Sequence, residues 1–374
     1  MSGAGGGRET GTDGAGRETG AGGGAGKVTI AGLAARLGLS KASVSYALNG
    51  QPGVSGPTRA RVLALAAELG WYPSSSARAL SQSRSDAVGI VLARSPEEVG
   101  SESFYMNVLA GIEAVLSDHD LNLVLRMVTP EADPGTRRDL AVYRRWAGEG
   151  RVGGVIVFDH VADDPRLQLL AALRLPHVLV GAAGDAARTA YGANTTVDQG
   201  RDAATVVDAL HRLGHRHFAY VSGPMALTHE TARWAGLLAA AGRLGMTAVT
   251  SASDYTADDG GKATTAVIAG LAVGSPEFPT AVVYGNDLMA VGGLQALKRL
   301  GVLVPAHVSA LSWDDSLLCQ LSSPGVAALA RNTMELGRRS AALLLEVMDG
   351  HRASDVAMPA GALLARESLG PAPR

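Results

Sequence analysis

One short segment near the start of the chain presents polar side chains at the spacing of a single helix face. In a helix running from Lys41 to about Leu48, Lys41, Ser45 and Tyr46 point outward together with the small Ala42. An ammonium, a hydroxyl and a phenol can hydrogen-bond to phosphates and to the edges of bases. On a helix that fits the major groove of DNA, these groups would read a base sequence, which is a chemistry of recognition rather than of bond cleavage.

Two helices joined by a tight turn must position this face. Thr29 can cap a first helix that ends near Leu37, because its hydroxyl can accept a hydrogen bond from a free backbone N–H. Gly38 stands where the chain must leave that helix with a positive φ, and Ser40 can cap the second helix. With a third helix over Thr58–Leu69, the pattern predicts a helix-turn-helix with a supporting helix. A plain three-helix bundle or a protein-contact module would show the same spacing.

The charge distribution favours the DNA-binding interpretation. The whole chain has a formal net charge of -2. From Lys27 to Arg84, however, the Lys and Arg side chains face a single acidic residue, Glu68. The rest of the chain must therefore be acidic. A basic segment attached to an acidic body is expected when only one part of a protein touches phosphates.

The remaining composition sets broad limits. A length of 374 residues indicates two or three domains, and 47% hydrophobic residues indicate a large core. The single cysteine, Cys319, excludes an intrachain disulfide and a thiolate zinc cluster. We find no apolar run long enough to span a membrane and no apolar signal core, so we expect a cytoplasmic protein.

Composition and periodicity change along the chain and predict its organisation. Apolar runs such as Val88–Leu92, Gly154–Phe158 and Ala281–Tyr284 alternate with helix-period stretches, which is typical of buried parallel strands in an α/β body of two similar lobes. A ligand would then bind at the carboxyl ends of the strands, in the cleft between the lobes. The expected parts are a disordered Gly-rich tail at 1–26, a helix-turn-helix headpiece at 27–73, a hinge helix and linker at 74–86, the body at 87–369 and a tail at 370–374.

Several short motifs, which follow one another along the first 80 residues, give the chain a resemblance to a known protein family. The motifs are Val28-Thr-Ile-Ala, Gly38-Leu-Ser, Val44-Ser, Leu48-Asn-Gly, Ala67-Glu-Leu-Gly-Trp-Tyr-Pro and Ala77-Arg-Ala-Leu80. Together they resemble the headpiece and hinge of the lactose/galactose-repressor (LacI/GalR) family. The resemblance implies that Leu80 intercalates at a central base step and kinks the DNA, with Ala77 beside it. Such wedges work as a symmetric pair, so it also implies a homodimer on a nearly palindromic operator.

These considerations give a predicted set of DNA-binding residues. The set comprises Thr29, Ile30, Ser40, Lys41, Ala42, Ser43, Ser45, Tyr46, Asn49, Thr58, Arg59, Ala77, Arg78 and Leu80. Tyr46 departs from the family, which often has arginine at this position. An arginine can make bidentate contacts to guanine and a tyrosine cannot. We therefore expect a palindrome whose half-site bases differ from those of the usual family operator.

The body motifs extend the resemblance to a second predicted site. The body is similar to periplasmic sugar-binding proteins, with two lobes crossed by three chain segments: one lobe at about 87–193 and 317–350, the other at about 194–316 and 351–369. Arg233 and Asp287 match positions at which the family binds its effector. The full predicted effector set is Phe104, Tyr105, Asp159, Arg233, Tyr255, Asp287 and Trp313, of which Asp159 and Trp313 are inferred from their places at strand ends. A structural Arg–Asp pair and ordinary aromatic packing are the alternatives.

Catalysis finds little support in the sequence. Gly260-Gly-Lys-Ala lacks the spacing of a phosphate-binding loop, and we find neither a Gly-x-Ser-x-Gly elbow nor paired histidines at metal-binding spacing. We therefore expect no enzyme activity, no cofactor and no metal. The family resemblance implies an effector-responsive transcriptional regulator, most simply a repressor of carbohydrate-utilisation genes. A purine- or nucleoside-responsive regulator is the main alternative, and a sugar-binding transport protein is a weaker one.

Overall fold

The computed structural model describes residues 28–71, 85–129, 137–182 and 190–373. The described headpiece and the described body belong to two separate compact units. The expected tail at 1–26 and the predicted hinge residues Ala77, Arg78 and Leu80 lie outside the described residues.

Three short helices form the headpiece: α1 (Ile30–Leu37), α2 (Lys41–Leu48) and α3 (Gly56–Glu68). Gly38 has a φ of 65°, so the turn between α1 and α2 needs the left-handed conformation that glycine adopts without strain. The core contains Leu33, Ala34, Val44, Ala47, Val62 and Ala66. These residues come from all three helices, so burial fixes the orientation of α2 despite its small size.

The first lobe of the body is a parallel sheet in the order β11-β5-β4-β3-β1-β2. Its strands are β1 (Ala87–Leu92), β2 (Asn122–Met127), β3 (Gly154–Val157), β4 (His177–Ala182), β5 (Gly192–Thr196) and β11 (Val356–Ala357). The helices of this lobe are α4 (Pro96–Ser101), α5 (Ser103–Asp118), α6 (Arg138–Glu149), α7 (Pro165–Ala172) and α13 (Thr333–Met348).

The second lobe repeats this plan with the order β12-β10-β9-β8-β6-β7, in which only the β10–β12 pair is antiparallel. Its strands are β6 (His217–Ser222), β7 (Thr247–Ala252), β8 (Ala281–Tyr284), β9 (Ser309–Ser312), β10 (Ala327–Ala330) and β12 (Ala362–Leu364). Its helices are α8 (Gln199–Arg212), α9 (Thr228–Arg243), α10 (Ala257–Ile268), α11 (Asp287–Arg299) and α12 (Leu317–Leu321).

The structure corrects the expected lobe boundaries. Residues 317–330 belong to the second lobe, because β10 pairs with β9. Residues 351–357 and β5 belong to the first, because β11 pairs with β5. The chain crosses between lobes three times, at 197–198, 331–332 and 358–361. The boundaries were misplaced because β10 and β11 are so short that hydrophobic periodicity cannot reveal which sheet they join.

Close helix packing fixes α13, a late segment of the chain, to the first lobe. A Cβ at Gly337 would lie 2.1 Å from the carbonyl oxygen of Val108 on α5, and one at Gly111 would lie 2.0 Å from that of Met334. Both distances are far below van der Waals contact, so α5 and α13 can approach this closely only because both positions lack a side chain.

Candidate functional site

The side chains expected on the outward face of α2 are exposed or partly exposed. The Ser40 hydroxyl accepts a hydrogen bond from the backbone N–H of Ser43 at 3.0 Å, which caps the helix as predicted. Lys41 and Ala42 are exposed, and Tyr46 is 44% exposed although it is a large aromatic residue. A free phenol on this face is available to a partner.

Other members of the predicted DNA-binding set make contacts within the headpiece. Asn49 donates its amide N–H to the Ser45 hydroxyl at 3.3 Å, so these two side chains are already paired. Arg59 donates to the carbonyl oxygen of Gln51 at 2.6 Å, and this holds the loop between α2 and α3. Three further members lie at helix starts: Thr29 caps α1, Thr58 bonds to the capping Ser55, and Ile30 packs on the core.

A cleft in the body brings together five of the seven predicted effector residues. Its empty volume is about 610 Å³, the open mouth included. Phe104, Tyr105 and Asp159 line it from the first lobe, and Arg233 and Tyr255 line it from the second. The expected position between the lobes, at the carboxyl ends of the strands, is therefore where these side chains meet.

On the first lobe, Arg94 is the centre of the cleft's charged groups. Its guanidinium bonds to Asp159 at 2.8 Å and to Glu102 at 3.2 Å, and Tyr105 donates its hydroxyl to Asp159. Burial would raise the pKa of Asp159, but the charge of Arg94, the nearby His229 and the hydrogen bonds from Arg94 and Tyr105 together outweigh it and hold that pKa at about 2. Burial raises the pKa of Glu102 to about 8 despite the same cation. The two carboxyls thus differ in their ionisation near neutral pH.

On the second lobe, the buried carboxylate of Glu230 is the centre of the charged groups. Glu230 bonds to Arg233 at 2.8 Å and accepts the hydroxyls of Tyr255 and Tyr220, each at 2.6 Å. Burial opposes ionisation of Glu230, but Arg233 lowers its pKa. Burial, with Arg233 nearby, lowers the pKa of His229 to about 4. His229 is therefore neutral at pH 7.

Two predicted effector residues do not line the cleft. Trp313 is fully buried in the core of the second lobe, and the guanidinium carbon of Arg233 lies 5.1 Å from its ring centroid. Asp287 is buried and accepts the hydroxyl of Ser103, from the other lobe, at 3.0 Å. Arg233 pairs with Glu230 rather than with Asp287, so the alternative of an Arg233–Asp287 pair is not what the structure shows. Strand-end placement therefore put Asp159 in the cleft but not Trp313, and the family resemblance put Arg233 there but not Asp287.

Sequence reasoning missed several cleft residues. They are Arg94, Glu102, Phe158, Gln199, His229, Asn286, Asp314 and Arg331. Some carried a usable signal: Arg94, Asp314 and Arg331 each follow a strand of the sheet by one or two residues. Asp314 and Arg331 form an ion pair across two adjacent strand ends. Periodicity cannot reveal this pairing, because it depends on β9 and β10 being neighbours.

The lobes also touch each other directly. The backbone N–H of Thr228 donates to the carbonyl oxygen of His160 at 3.0 Å, and Val161 and Leu227 form an antiparallel bridge. The guanidinium carbon of Arg94 lies 4.8 Å from the ring centroid of Tyr255. These contacts join opposite walls of the cleft.

No helix in the described part of the chain is long and apolar enough to cross a membrane. Within the same residues, no three His, Cys, Asp or Glu side chains group as metal ligands.

Comparisons with known proteins agree with this arrangement. The model of bacterial regulatory proteins of the lacI family matches residues 29–74, and that of the periplasmic binding protein-like domain matches residues 207–369. The transcriptional regulator AglR of Rhizobium meliloti (strain 1021) is 32% identical over 297 residues, which cover 78% of each chain. This relative is a transcriptional regulator with a helix-turn-helix.

Solved structures show the same fold. The complex of the transcriptional regulator CelR with cellobiose has a TM-score of 0.67 and 26% identity, covering 91% of this chain and all of that one. The lac repressor dimer bound to operator and an anti-inducer has a TM-score of 0.74 at 22% identity, covering 91% of this chain and 98% of that one. The fold, the helix-turn-helix and the similarity to AglR lead to one conclusion: the chain belongs to the lacI family of bacterial regulatory proteins, which bind DNA and regulate transcription.

Proposed function

We propose that this regulator is a repressor of carbohydrate-utilisation genes that binds a palindromic operator as a homodimer and responds to an uncharged sugar in the cleft. The observation that carries the proposal is the pairing of charges in the cleft. Each arginine that lines it already bonds to a carboxylate: Arg94 to Asp159 and Arg331 to Asp314, which line the cleft too, and Arg233 to the buried Glu230.

Paired charges suit a neutral, hydroxyl-rich ligand. An anionic effector would need a cation with no carboxylate beside it, and the described lining offers none. Sugar hydroxyls can donate to Asp159 and accept from Arg233, while Phe104 and Tyr255 cover an apolar face. The cellobiose in the CelR complex is consistent with this class. In the proposed site, Tyr105 orients Asp159, while Asp287 and Trp313 act as buried support.

The proposed dimer is supported by an apolar surface on α12. Leu317, Leu318 and Leu321 of this short helix are 65%, 42% and 75% exposed. Three exposed leucines on five residues are costly in water, and large apolar patches mark protein interfaces. We assign this surface to the second copy of the chain, because a palindromic operator requires two headpieces.

In the proposed mechanism, the sugar changes the relative stability of two lobe arrangements. The shift in operator affinity is limited by the difference in sugar affinity between them. A changed lobe arrangement would alter the spacing of the two hinge segments around Leu80, unfold them and release the operator. The DNA-binding residues proposed from the sequence, including Ala77 and Arg78, act in the operator-bound form.

A gel-shift titration of the full chain on operator DNA tests the proposal. We expect affinity to fall steeply with salt, because phosphate contacts release counterions. Addition of sugars should release the DNA. If nucleosides or purines strengthen binding and sugars have no effect, the corepressor alternative is correct and the sugar proposal is wrong. If the affinity for operator DNA rises when a sugar is added, the sugar acts as a corepressor and not as an inducer.

A further inference from the structure

One loop of the first lobe touches both the cleft and the second lobe. It consists of residues 158–164, which connect β3 to α7. Two successive residues of this loop have different partners. Asp159 lines the cleft, whereas the carbonyl oxygen of His160 accepts a hydrogen bond from the backbone N–H of Thr228 at 3.0 Å. A change in the shape of this loop would therefore reach the candidate ligand site and the contact between the lobes together.

The contact with the second lobe takes the place of a helix cap. Helix α9 begins at Thr228, and Leu227 before it has no side chain that can accept a hydrogen bond. The first N–H groups of a helix have no partner within the helix. The carbonyl oxygen of His160 supplies one, since it accepts the N–H of Thr228 at 3.0 Å and its hydroxyl at 3.2 Å. Helix α9 also carries Glu230 and Arg233, so the loop caps the element that positions the charged groups of the second lobe.

Arg166, in the first turn of α7, holds the loop from the side away from the cleft. Its guanidinium donates to the carbonyl oxygen of Asp159 at 2.8 Å and to the carboxylate of Asp164 at 2.6 Å. Asp164 in turn accepts a hydrogen bond from the backbone N–H of Val161 at 3.3 Å. Arg166 and Asp164 are 4% and 3% exposed, so water weakens this ion pair little. The pair thus fixes the backbone on both sides of His160.

The backbone of the loop needs such support. Asp159 has a φ of 49° and Asp163 a φ of 50°, a left-handed conformation that is uncommon for residues other than glycine. Such conformations persist when the surrounding bonds over-determine them. Without the bond from Arg166, Asp159 could return to an ordinary conformation. Its carboxylate in the cleft and the carbonyl group of the next residue would then both change direction.

We propose that Arg166 is a positioning residue that couples ligand binding at Asp159 to the contact between the lobes at His160. Arg166 itself does not line the cleft. A ligand that bonds to Asp159 holds the loop in the shape that caps α9, so the ligand and the second lobe stabilise the same loop conformation. This inference rests on the proposed function, that an effector binds in the cleft.

A double variant tests the role of the ion pair. Arg166→Met with Asp164→Asn removes both charges together, so no lone charge stays buried, and asparagine can still cap α7. In hydrogen–deuterium exchange of the full chain without sugar, we expect the amide of Thr228 to exchange at least about tenfold faster than in the wild type. The amide of Tyr220, in the central strand β6, should exchange as before.

The control is a second ion pair. Arg366→Met with Asp315→Asn removes a 2.8 Å pair of the second lobe that does not line the cleft, and it should leave exchange at Thr228 unchanged. Unchanged exchange at Thr228 in the Arg166 variant would overturn the inference. Equal acceleration at Thr228 and Tyr220 would also overturn it, because it would show a general loss of stability rather than release of the loop.

Sugar titrations test the coupling itself. The probes are glucose, maltose and cellobiose, with binding measured by calorimetry and operator release by gel shift. Allosteric ligands change the affinity at a second site by about 5- to 150-fold. We expect the Arg166 variant still to bind the sugar that the wild type binds, but saturating sugar should change its operator affinity by less than about threefold. A purely structural role would lower stability and leave this response intact, which would overturn the coupling.

Failure of the proposed function gives a different result. If the wild type binds nucleosides and none of these sugars, the sugar proposal is wrong. Exchange at Thr228 still decides whether Arg166 positions the loop, because that measurement needs no ligand.

Discussion

The guanidinium of Arg94 lies over the ring of Tyr255, with 4.8 Å between the guanidinium carbon and the ring centroid, and this contact joins the two lobes across the cleft. Tyr255 has a φ of 73°, a conformation that is strained for a tyrosine. Gly223 makes it possible, since a Cβ there would lie 2.0 Å from the tyrosine ring. The local fold thus tolerates a strained residue in order to place an aromatic face opposite the charge of the other lobe.

Replacement of Arg94 should show what this charge contributes. Arg94→Ala leaves the buried Asp159 and Glu102 without their cation, so we expect the free energy of unfolding to fall by about 3–5 kcal/mol. Urea denaturation of the body measures this. The control Arg126→Ala removes an exposed arginine from β2 and should change stability by about 0.5 kcal/mol or less. Equal effects of the two substitutions would contradict a buried ion-pair role.

Glu102 should make stability depend on pH. Its pKa is about 8 in the folded protein and 4.5 is its ordinary value, so the folded state keeps a proton that the unfolded chain releases. The resulting contribution to stability is fully present below pH 4.5 and is lost as the pH rises to about 8. Thermal unfolding of the wild type and of Glu102→Gln should therefore diverge across this range, with the wild type losing stability relative to the variant. Parallel pH profiles would show that Glu102 does not titrate there.

Arg233 should be needed for the effector response. Arg233→Lys keeps a positive charge beside Glu230 but loses the planar fork that also donates to Gln199 and to the carbonyl oxygen of Gly285. We expect sugar-dependent release of the operator to be lost while operator affinity without sugar is unchanged, as measured by gel shift. Arg243→Lys, at the exposed end of α9, should respond like the wild type. A retained response in Arg233→Lys would remove this residue from the effector site.

Lys41 lies on the face expected to read bases, and its positive charge should also contribute to phosphate binding. Lys41→Ala should weaken binding to operator and to unrelated DNA alike and reduce the slope of log K against log salt by about one. Fluorescence anisotropy over a salt series measures the slope. Lys298→Ala removes an exposed lysine from the body and should leave the slope as it is in the wild type. Loss of operator specificity with an unchanged slope would indicate base contact instead.

The leucine surface of α12 should control dimerisation. Leu321→Glu places a charge on the most exposed of these leucines, so we expect it to shift the protein towards monomer. Sedimentation velocity measures the change. Leu271→Glu alters an exposed leucine away from this helix and should leave the dimer intact. A dimer that persists in Leu321→Glu would place the interface elsewhere.

Local chemistry made the headpiece predictable. Helices α1 and α2 have the bounds expected from the capping residues Thr29 and Ser40, and Gly38 has the positive φ that its position required. Each of these features depends on neighbours in sequence.

Long-range pairing limited what could be predicted for the body. The α/β class followed from apolar periodicity, but the lobe assignment of β10 and β11 depends on which edges they join. In the same way, the partner of Arg233 is a glutamate one helical turn away, and no pattern in the sequence distinguished Glu230 from the more distant Asp287. Arg94 and its carboxylates come together only after the sheet has formed.

The three crossings between the lobes also determine the order in which parts of the protein can fold during synthesis on the ribosome. The headpiece is contiguous and can fold as soon as it emerges. Neither sheet of the body is complete until Val356–Ala357 and Ala362–Leu364 have been synthesised, and α13 must reach back to Gly111 before the first lobe closes. A translation product that stops before α13 therefore carries the DNA-reading helices without a functional sensor, and its unpaired strand edges mark it for degradation or aggregation.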